Sequence, residues 1–300
     1  MTTVLHVGVA VVDFLLTVET FPQAPEKYRA RDGLVTGGGN AANAAAAVAR
    51  LGGSALLAAR TGDDMIADLV LSSLTQDGVS AQHVRRFAGC RGSFSSVLVD
   101  AEGERQIVNF RDPGLPTNAD WISDLPMVGV GAVLTDTRWP EGALAAMELA
   151  AKAGVPGVID GEQPIEGCGD ALRAASHCAF SEQGLRDFTN GDLAAAQNLC
   201  GGFVAVTKGA EGTFWADGSG ETSTNGHVPS VEVQAIETLG AGDVWHGAFT
   251  LALARGDHEA QAMTYANRAA SLKCTRSGGR ASYPTAAELK NWKPEADRHG

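Results

Sequence analysis

The sequence ETLGAGDVWHGAF, residues 237–249, decides the fold of this chain and points to its chemistry. Gly240, Ala241 and Gly242 precede an apolar stretch that predicts a helix over residues 241–254. Their amides can face one point at the helix start, where unpaired N–H groups and the helix dipole favour anions. Asp243 stands in the same turn, and a carboxylate there can deprotonate an alcohol that attacks a phosphoryl group. An aspartate can also simply complement the dipole, but the glycines favour the catalytic interpretation.

A second glycine cluster, GGGNAANAAAAVARLGG at residues 37–53, precedes an alanine-rich helix. Clustered glycines ahead of a helix indicate that the backbone approaches a ligand closely. The chain contains no GxxxxGK(S/T) sequence, which excludes a Walker-type phosphate loop.

Strand and helix patterns alternate around these two clusters. Residues 4–12 are almost all apolar, which predicts a strand buried on both faces of a parallel sheet, with Asp13 at its carboxyl end. Further strands are predicted at residues 54–60, 132–135, 157–160, 178–180 and 203–207, and helices at about 65–76, 141–153 and 258–274. This alternation predicts one α/β domain over residues 1–300, with a mainly parallel sheet between helices, whose ligands bind at its carboxyl edge.

Two segments do not fit this alternation. Residues 14–36 contain short alternating stretches, and FSSVLVD (94–100) and RQIVNF (105–110) flank a turn typical of a hairpin. We expect residues 14–36 and 92–111 to form a small β lid over the carboxyl edge of the sheet. Exposed strand edges often pair with a partner, which makes a homodimer through the lid an expectation.

Composition excludes several classes of protein. The 300 residues are 44% apolar and 19% charged, which is a globular mixture. A net charge of −12 and the lack of an aromatic, basic strand face disfavour nucleic-acid binding. There is no apolar stretch of membrane-spanning length and no basic leader, and the five scattered cysteines suit a reduced protein without a zinc site. We therefore expect a cytoplasmic protein that binds neither nucleic acid nor membrane.

The two glycine clusters together resemble the two signatures of the ribokinase-like PfkB carbohydrate kinases. They stand in the family's order and about 200 residues apart, so the resemblance covers essentially the whole chain. It implies a three-layer α/β/α fold, ATP and Mg²⁺ as cofactors, and a small sugar as substrate. By this resemblance Asp243 is the base for the sugar hydroxyl, and the amides of Gly240, Ala241 and Gly242 hold the transferring phosphate.

The resemblance also implies further site residues. The implied sugar-hydroxyl contacts are Asp13, Gly38, Gly39 and Asn43. The segment VAVTKGAEGTFW (204–215) resembles the family's nucleotide loop, and the residues implied to bind ATP are Thr207, Lys208, Gly209, Gly212 and, near adenine, Asn267.

Two departures from the family pattern concern cations. Glu237 replaces the usual aspartate, which puts a monovalent-cation site in doubt. The Asn-x-x-Glu element is Ser-Glu-Gln-Gly at residues 181–184, which leaves Glu182 as an outer-shell partner of Mg²⁺ that nucleotide phosphates and water would otherwise hold.

The segments KYRAR, DTRWPEG, FSEQGL and LKCTRSGGRA resemble the branch of the family that phosphorylates 6-deoxy-6-sulfofructose. By this resemblance Lys27, Asn109 and Arg138 are sulfonate contacts, because converging cations and an amide bind a tetrahedral anion. A fructokinase or ketohexokinase of a neutral sugar is the alternative, and a non-catalytic sugar sensor on the same scaffold is a third. A dinucleotide-dependent oxidoreductase is disfavoured because no GxGxxG follows the first strand.

Overall fold

The computed structural model describes residues 1–220 and 224–294. In chain order its strands are β1 (Thr3–Gly8), β2 (Val11–Thr17), β3 (Asp32–Gly38), β4 (Ser54–Thr61), β5 (Val79–Arg86), β6 (Phe94–Val99), β7 (Arg105–Phe110), β8 (Val130–Asp136), β9 (Gly157–Gly161), β10 (His177–Ser181), β11 (Phe203–Thr207), β12 (Thr213–Asp217) and β13 (Thr224–Val228). The helices are α1 (Asn40–Arg50), α2 (Met65–Gln76), α3 (Pro140–Ala153), α4 (Gly169–Ala174), α5 (Glu182–Thr189), α6 (Leu193–Cys200), α7 (Ala241–Ala254), α8 (Glu259–Cys274) and α9 (Ala286–Asn291).

The central sheet has nine strands in the order β13-β12-β11-β10-β9-β8-β1-β4-β5. Strands β11 to β5 run parallel, whereas β12 and β13 are antiparallel additions at one edge. Val4 of β1 packs in a core with α1, α7 and α8, while Leu5 and Val7 pack in a second core with α3 and α4. Because neighbouring residues of one strand enter different cores, the sheet lies between two helical layers. The predicted α/β/α architecture is confirmed.

A second sheet has four strands in the order β3-β2-β6-β7, and we call it the lid. Strands β2 and β6 pair in parallel, and each outer strand pairs antiparallel with its neighbour. The predicted hairpin of residues 94–110 is therefore present as β6 and β7.

The prediction of one strand over residues 4–12 is wrong. Strand β1 ends at Gly8, and β2 begins at Val11 in the lid. Between them the amide of Val9 donates to Asp136 Oδ2 at 2.9 Å instead of extending the ladder of the central sheet. Asp13 consequently lies inside a lid strand and not at the end of a strand of the central sheet.

Strand β5 was not among the predicted elements. Its sequence, VSAQHVRR, lies at the edge of the sheet and is half exposed, so it lacks the apolar run of an interior strand. The five cysteines are free. Among the helices of residues 1–220 and 224–294, none is long and apolar enough to cross a bilayer.

Candidate active site

Two cavities meet at the carboxyl edge of the parallel strands. The lid cavity, of about 730 Å³, is lined by residues of β2, β6, β7 and α1 and of the loops after β8 and β9. The helix cavity, of about 580 Å³, is lined by residues of α7, α8, the turn after β11 and the segment 230–238. Asp243 lines the lid cavity, while Ala241 and Gly242 line the helix cavity. The first turn of α7 is therefore the wall between the two cavities.

The turn before α7 exists because Gly240 adopts φ of +76°, a left-handed conformation that disfavours a side chain. The Ala241 amide donates to the carbonyl of Thr238 at 3.1 Å. The prediction that three amides converge on an anion is therefore wrong for Ala241. The amides of Gly240, Gly242 and Asp243 have no acceptor among residues 1–220 and 224–294, so all three remain as donors for an anion.

A buried polar chain holds Asp243. Asn43 Nδ2 donates to Asp243 Oδ2 at 2.8 Å, and Arg280 Nε donates to Asn43 Oδ1 at 2.7 Å. Arg280 is 3% exposed and also pairs with Asp77 at 2.8 Å. Asn43 lines the lid cavity, but its side-chain nitrogen and oxygen are already bonded to Asp243 and Arg280. Its position therefore indicates that it orients the carboxylate rather than serving mainly as a sugar contact.

The carboxyl group of Asp243 is tuned toward neutral pH. Burial raises the pKa of Asp243 to about 7, and the neighbouring Asp160 carboxylate contributes in the same direction. The bond from Asn43 and the charges of His246 and Arg280 act in the opposite direction on this pKa. A base whose pKa lies near the working pH combines a usable ionised fraction with a strong affinity for the proton.

Most of the predicted sugar contacts come together. The lid cavity is lined by Asp13, Gly39, Asn43, Asn109 and Arg138. Gly38 lies directly behind Asp13, since a Cβ on Gly38 would stand 2.1 Å from Asp13 Oδ2. Glycine is thus required for the Asp13 carboxylate to lie against this backbone.

Lys27 is not brought to this cavity. It is exposed on the long connection between β2 and β3 and does not line the lid cavity. The position of Lys27 therefore does not support its predicted contact with a substrate sulfonate. The sequence pattern of residues 18–31 does not determine the path of this connection.

Two arginines that sequence reasoning missed lie beside Arg138. A recess of about 220 Å³ is lined by Arg60, Arg111 and Arg138, and the latter two also line the lid cavity. We call it the arginine recess. Among residues 1–220 and 224–294, no carboxylate lies within salt-bridge distance of these three.

Three guanidinium groups line the arginine recess, and the Asp136 carboxylate nearby favours the charged forms of Arg60 and Arg111. Burial lowers the pKa of Arg60 to about 10, and Arg60 stacks 4.1 Å from the ring centroid of Trp139. Burial also lowers the pKa of Arg111. The one carboxylate in the lining, Asp112, already accepts bonds from Arg91 and from the Gly114 amide. An anion is the ligand that such a set of guanidinium groups favours.

The helix cavity contains part of the predicted nucleotide site. Thr207, Gly209 and Gly212 line it. Lys208 does not line this cavity, and its ammonium group lies 5.0 Å from the ring centroid of Phe214. This position does not support the predicted contact of Lys208 with the ATP phosphates.

Asn267 lines the helix cavity but has no free hydrogen-bonding capacity. Its Oδ1 accepts bonds of 2.8 Å from Thr213 and from Trp245 Nε1. Its Nδ2 donates to the carbonyls of Val228 and Pro229 at 3.0 and 3.1 Å. These four bonds join α8 to β12, β13 and α7, so Asn267 builds the cavity wall, and its place near adenine stays a prediction.

The sequence predicts that Mg²⁺ is held by nucleotide phosphates and water, with Glu182 in its outer shell. Within residues 1–220 and 224–294, no three His, Cys, Asp or Glu side chains are grouped as metal ligands. Glu182 is exposed at the start of α5 and lines neither cavity, so its role stays a prediction. Glu162 follows β9 and interacts with the Asp160 carboxylate, which also acts on Asp243. Burial raises the pKa of Glu162, and the Asp160 charge raises it further. These residues fit an ion that phosphates and water coordinate.

The position doubted as a monovalent-cation site already contains a cation. Lys273 Nζ donates to the carbonyl oxygen of Glu237 at 3.0 Å and to Glu237 Oε1 at 2.7 Å. The Lys273 side chain is completely buried. The oxygen ligands that Glu237 offers are thus satisfied from within the chain.

The chain is similar to known proteins over most of its length. The sequence model of the pfkB family carbohydrate kinases matches residues 1–286. The chain is 26% identical to the ribokinase of Bacillus subtilis over 97% of this chain and 99% of that one. It is 30% identical to the ATP-dependent ribose-1-phosphate kinase of Halopiger xanaduensis over 95% and 96% of the two chains.

A solved structure from Agrobacterium tumefaciens superimposes with a TM-score of 0.89, at 34% identity and over 99% and 98% of the two chains. The family match extends over nearly the whole chain, and it includes the turn before α7 and the glycine cluster before α1. The chain therefore belongs to the pfkB family of carbohydrate kinases and is an ATP-dependent sugar kinase.

Proposed function

We propose that this kinase transfers the γ-phosphate of ATP, bound in the helix cavity, to a primary hydroxyl of a ketohexose-type sugar in the lid cavity. One observation carries the proposal: Asp243 faces the lid cavity from the same turn whose Gly242 lines the helix cavity. A base and an anion site on one turn bring the hydroxyl and the γ-phosphate into contact where the two cavities meet, and in-line transfer requires that contact.

Asp243 takes the proton from the hydroxyl, and the hydroxyl oxygen attacks the γ-phosphorus. The bond from that phosphorus to the bridging oxygen breaks at the same time, and ADP leaves with the bridging oxygen. The amides of Gly240 and Gly242 stabilise the charge that develops on the phosphate oxygens. Asn43, held by Arg280, keeps the Asp243 carboxylate aimed at the hydroxyl. Glu162 or Glu182 would be the outer-shell partner of a nucleotide-bound Mg²⁺, which would supply neutralisation of the phosphate charge.

For the sugar itself we propose 6-deoxy-6-sulfofructose, which would give its 1-phosphate. Arg111 and Arg138 support an acidic sugar, because they line both the lid cavity and the arginine recess. Asn109 lines the same cavity and offers an amide. A sulfonate at the end of the sugar distal to Asp243 would contact these guanidinium groups, which have no salt bridge to a carboxylate among the described residues. Hydrogen bonds between a guanidinium group and an anion are charge-assisted and therefore strong.

A coupled ADP-release assay tests the proposal with sulfofructose, fructose, fructose 6-phosphate and ribose. We expect kcat/KM for sulfofructose to exceed that for fructose by about 100-fold, since hydrogen bonds to charged groups contribute that order of discrimination. Preference for fructose would establish the neutral-sugar kinase instead. Sugar binding by calorimetry without ADP release from any sugar would indicate a sensor.

Two expectations about context accompany this function. Apolar side chains on the lid, including Leu34, Val35 and Val108, are 41%, 55% and 68% exposed, which supports a homodimer through the lid. Sedimentation of the chain and of a Val108→Lys variant tests this assembly. Free cysteines and the use of ATP support a cytoplasmic location.

A further inference from the structure

Lys273 is an unusual residue for the interior of a protein. Its ammonium group has no contact with solvent, although lysine is almost never fully buried unless it is paired. Its partners are two oxygens of one residue, the carbonyl and the Oε1 of Glu237. Burying an ammonium group costs free energy, and the two short bonds to Glu237 compensate for that cost only while they hold a fixed geometry.

That geometry acts on the segment that leads into α7. The segment from residue 229 to residue 240 has no regular secondary structure except the turn at its end. The amides of Ile236 and Glu237 donate to the carbonyl of Cys274 at 2.8 and 3.2 Å, and Gly278 N donates weakly to Glu237 Oε2. Lys273 is the charged group among the residues that hold Glu237 in place. Thr238 follows Glu237 directly in the sequence, and Gly240 is three residues after it.

A carbonyl oxygen together with a carboxylate oxygen is the donor set that a hard cation prefers. Here the Lys273 ammonium group already neutralises the carboxylate and receives both oxygens. An exchangeable ion at these two oxygens would have to displace a covalently attached cation. The residues present therefore do not fit a bound monovalent ion.

We infer that Lys273 is a built-in cation, which fixes the turn at residues 238–243 without potassium or any other exchangeable monovalent ion. It is a positioning residue, because it acts on Asp243 and on the Gly240 and Gly242 amides through Glu237. The activity measurements below rest on the proposed kinase function, whereas the unfolding measurements do not.

The first experiment uses the unmodified chain. Its kcat and thermal unfolding midpoint are compared in potassium, sodium and tetramethylammonium chloride at equal ionic strength. We expect both to agree across the salts, kcat to within about twofold, since an ion that does not bind cannot stabilise the fold. Potassium stimulation well beyond that, or a higher unfolding midpoint in potassium alone, would overturn the inference.

The second experiment removes the ammonium with Lys273→Met. We expect kcat to fall on the order of 100-fold, because small displacements of catalytic groups have effects of that size. Potassium or ammonium ions, but not tetramethylammonium, should then raise both kcat and the unfolding midpoint, because they can reach the two vacated oxygens. Lys152→Met, at an exposed position of α3, is the matched control and should show no ion dependence.

Failure of Lys273→Met to fold is addressed by combining it with Glu237→Gln, which removes both charges. This double variant should fold, lose turnover and not respond to potassium. Full activity in Lys273→Met, or in the double variant, would overturn the positioning role. If no sugar is phosphorylated by the unmodified chain, the unfolding midpoints still decide the inference about the cation.

Discussion

The two cavities on either side of the first turn of α7 differ in how they are built. The lid cavity is lined by charged and amide side chains, among them Asp13, Asn109, Arg111 and Arg138. The helix cavity is lined largely by small and apolar residues, such as Val231, Val233 and Trp245. Charge and hydrogen bonds therefore select the ligand of the lid cavity, while shape and apolar contact select the ligand of the helix cavity.

Their polar groups also differ in how they are used. The polar atoms of Asn267 in the helix cavity all bond to the protein itself, whereas Arg111 in the lid cavity has no carboxylate partner among the described residues. A satisfied group can only build a wall, and an unpartnered one can bind a ligand. We therefore propose that Asp243 performs the chemistry, that the lid cavity selects the sugar, and that Asn267 keeps the helix cavity rigid.

The strongest test of this division is Asp243→Asn. The amide cannot accept the hydroxyl proton, so we expect kcat to fall by about 100- to 10,000-fold, the usual range for loss of a general base. Sugar affinity, measured by calorimetry, should change little because the lid cavity keeps its other contacts. Asp257→Asn, at an exposed loop position, is the control. Turnover close to that of the unmodified chain would remove Asp243 from the base role.

A second change tests the rigidity of the helix cavity. Asn267→Leu keeps the size of the side chain but leaves the buried Thr213 hydroxyl and the Trp245 N–H without their acceptor. We expect a loss of about 3 kcal/mol in the free energy of unfolding, because each unsatisfied buried group has a cost. Denaturant unfolding measures this loss, and KM for ATP should rise more than KM for the sugar.

Asn198→Leu provides the matched control, since Asn198 is exposed on α6. Equal stability of the two leucine variants would show that the bonds of Asn267 do not support the cavity wall.

The pH dependence of turnover tests the electrostatics of the shared wall. A base must be deprotonated, so kcat/KM should rise with pH through the Asp243 pKa of about 7 and level off above it. Asp160→Asn removes a charge that raises this pKa, so the acid limb should move to lower pH. Burial, the larger cause, remains, which makes the shift partial.

Normalising each profile to its own plateau separates this shift from any effect of Asp160→Asn on the maximal rate. An acid limb that stays in place would mean that the limb reports a group other than Asp243.

The same wall shows how far sequence reasoning reaches. The TLGAGD segment predicted both the helix start and the location of Asp243, because local glycine geometry and helix-terminus chemistry are encoded within a few residues. Glu237 could be identified as unusual, but its bond to Lys273 joins residues 36 apart in the chain and follows no local pattern. The alternate use of Asn43, as a support of Asp243, likewise depends on Arg280, 237 residues away.

The lid shows the corresponding limit for the sugar. Arg60 lies in β4 of the central sheet and Arg111 directly follows β7 of the lid, and the placement of the two sheets brings both to Arg138. Sequence alone offered Lys27 instead, because its neighbours resemble a known segment. Position in a resembling motif does not fix the path of a long connection without regular structure.

The smallest expected effect separates these two sets of cations. Lys27→Ala should change kcat/KM for sulfofructose by less than about twofold, because the exposed side chain does not line the lid cavity and surface changes of this kind have small effects. Arg111→Ala is the matched comparison and should raise KM for sulfofructose by about 10- to 100-fold, with little change for fructose. Steady-state kinetics on both sugars measures the difference. Lys27→Ala could instead impair the reaction of sulfofructose, and not that of fructose, as much as Arg111→Ala does. That result would mean that residues 18–31 contact the sugar, and it would contradict the assignment of the sulfonate to the arginine recess.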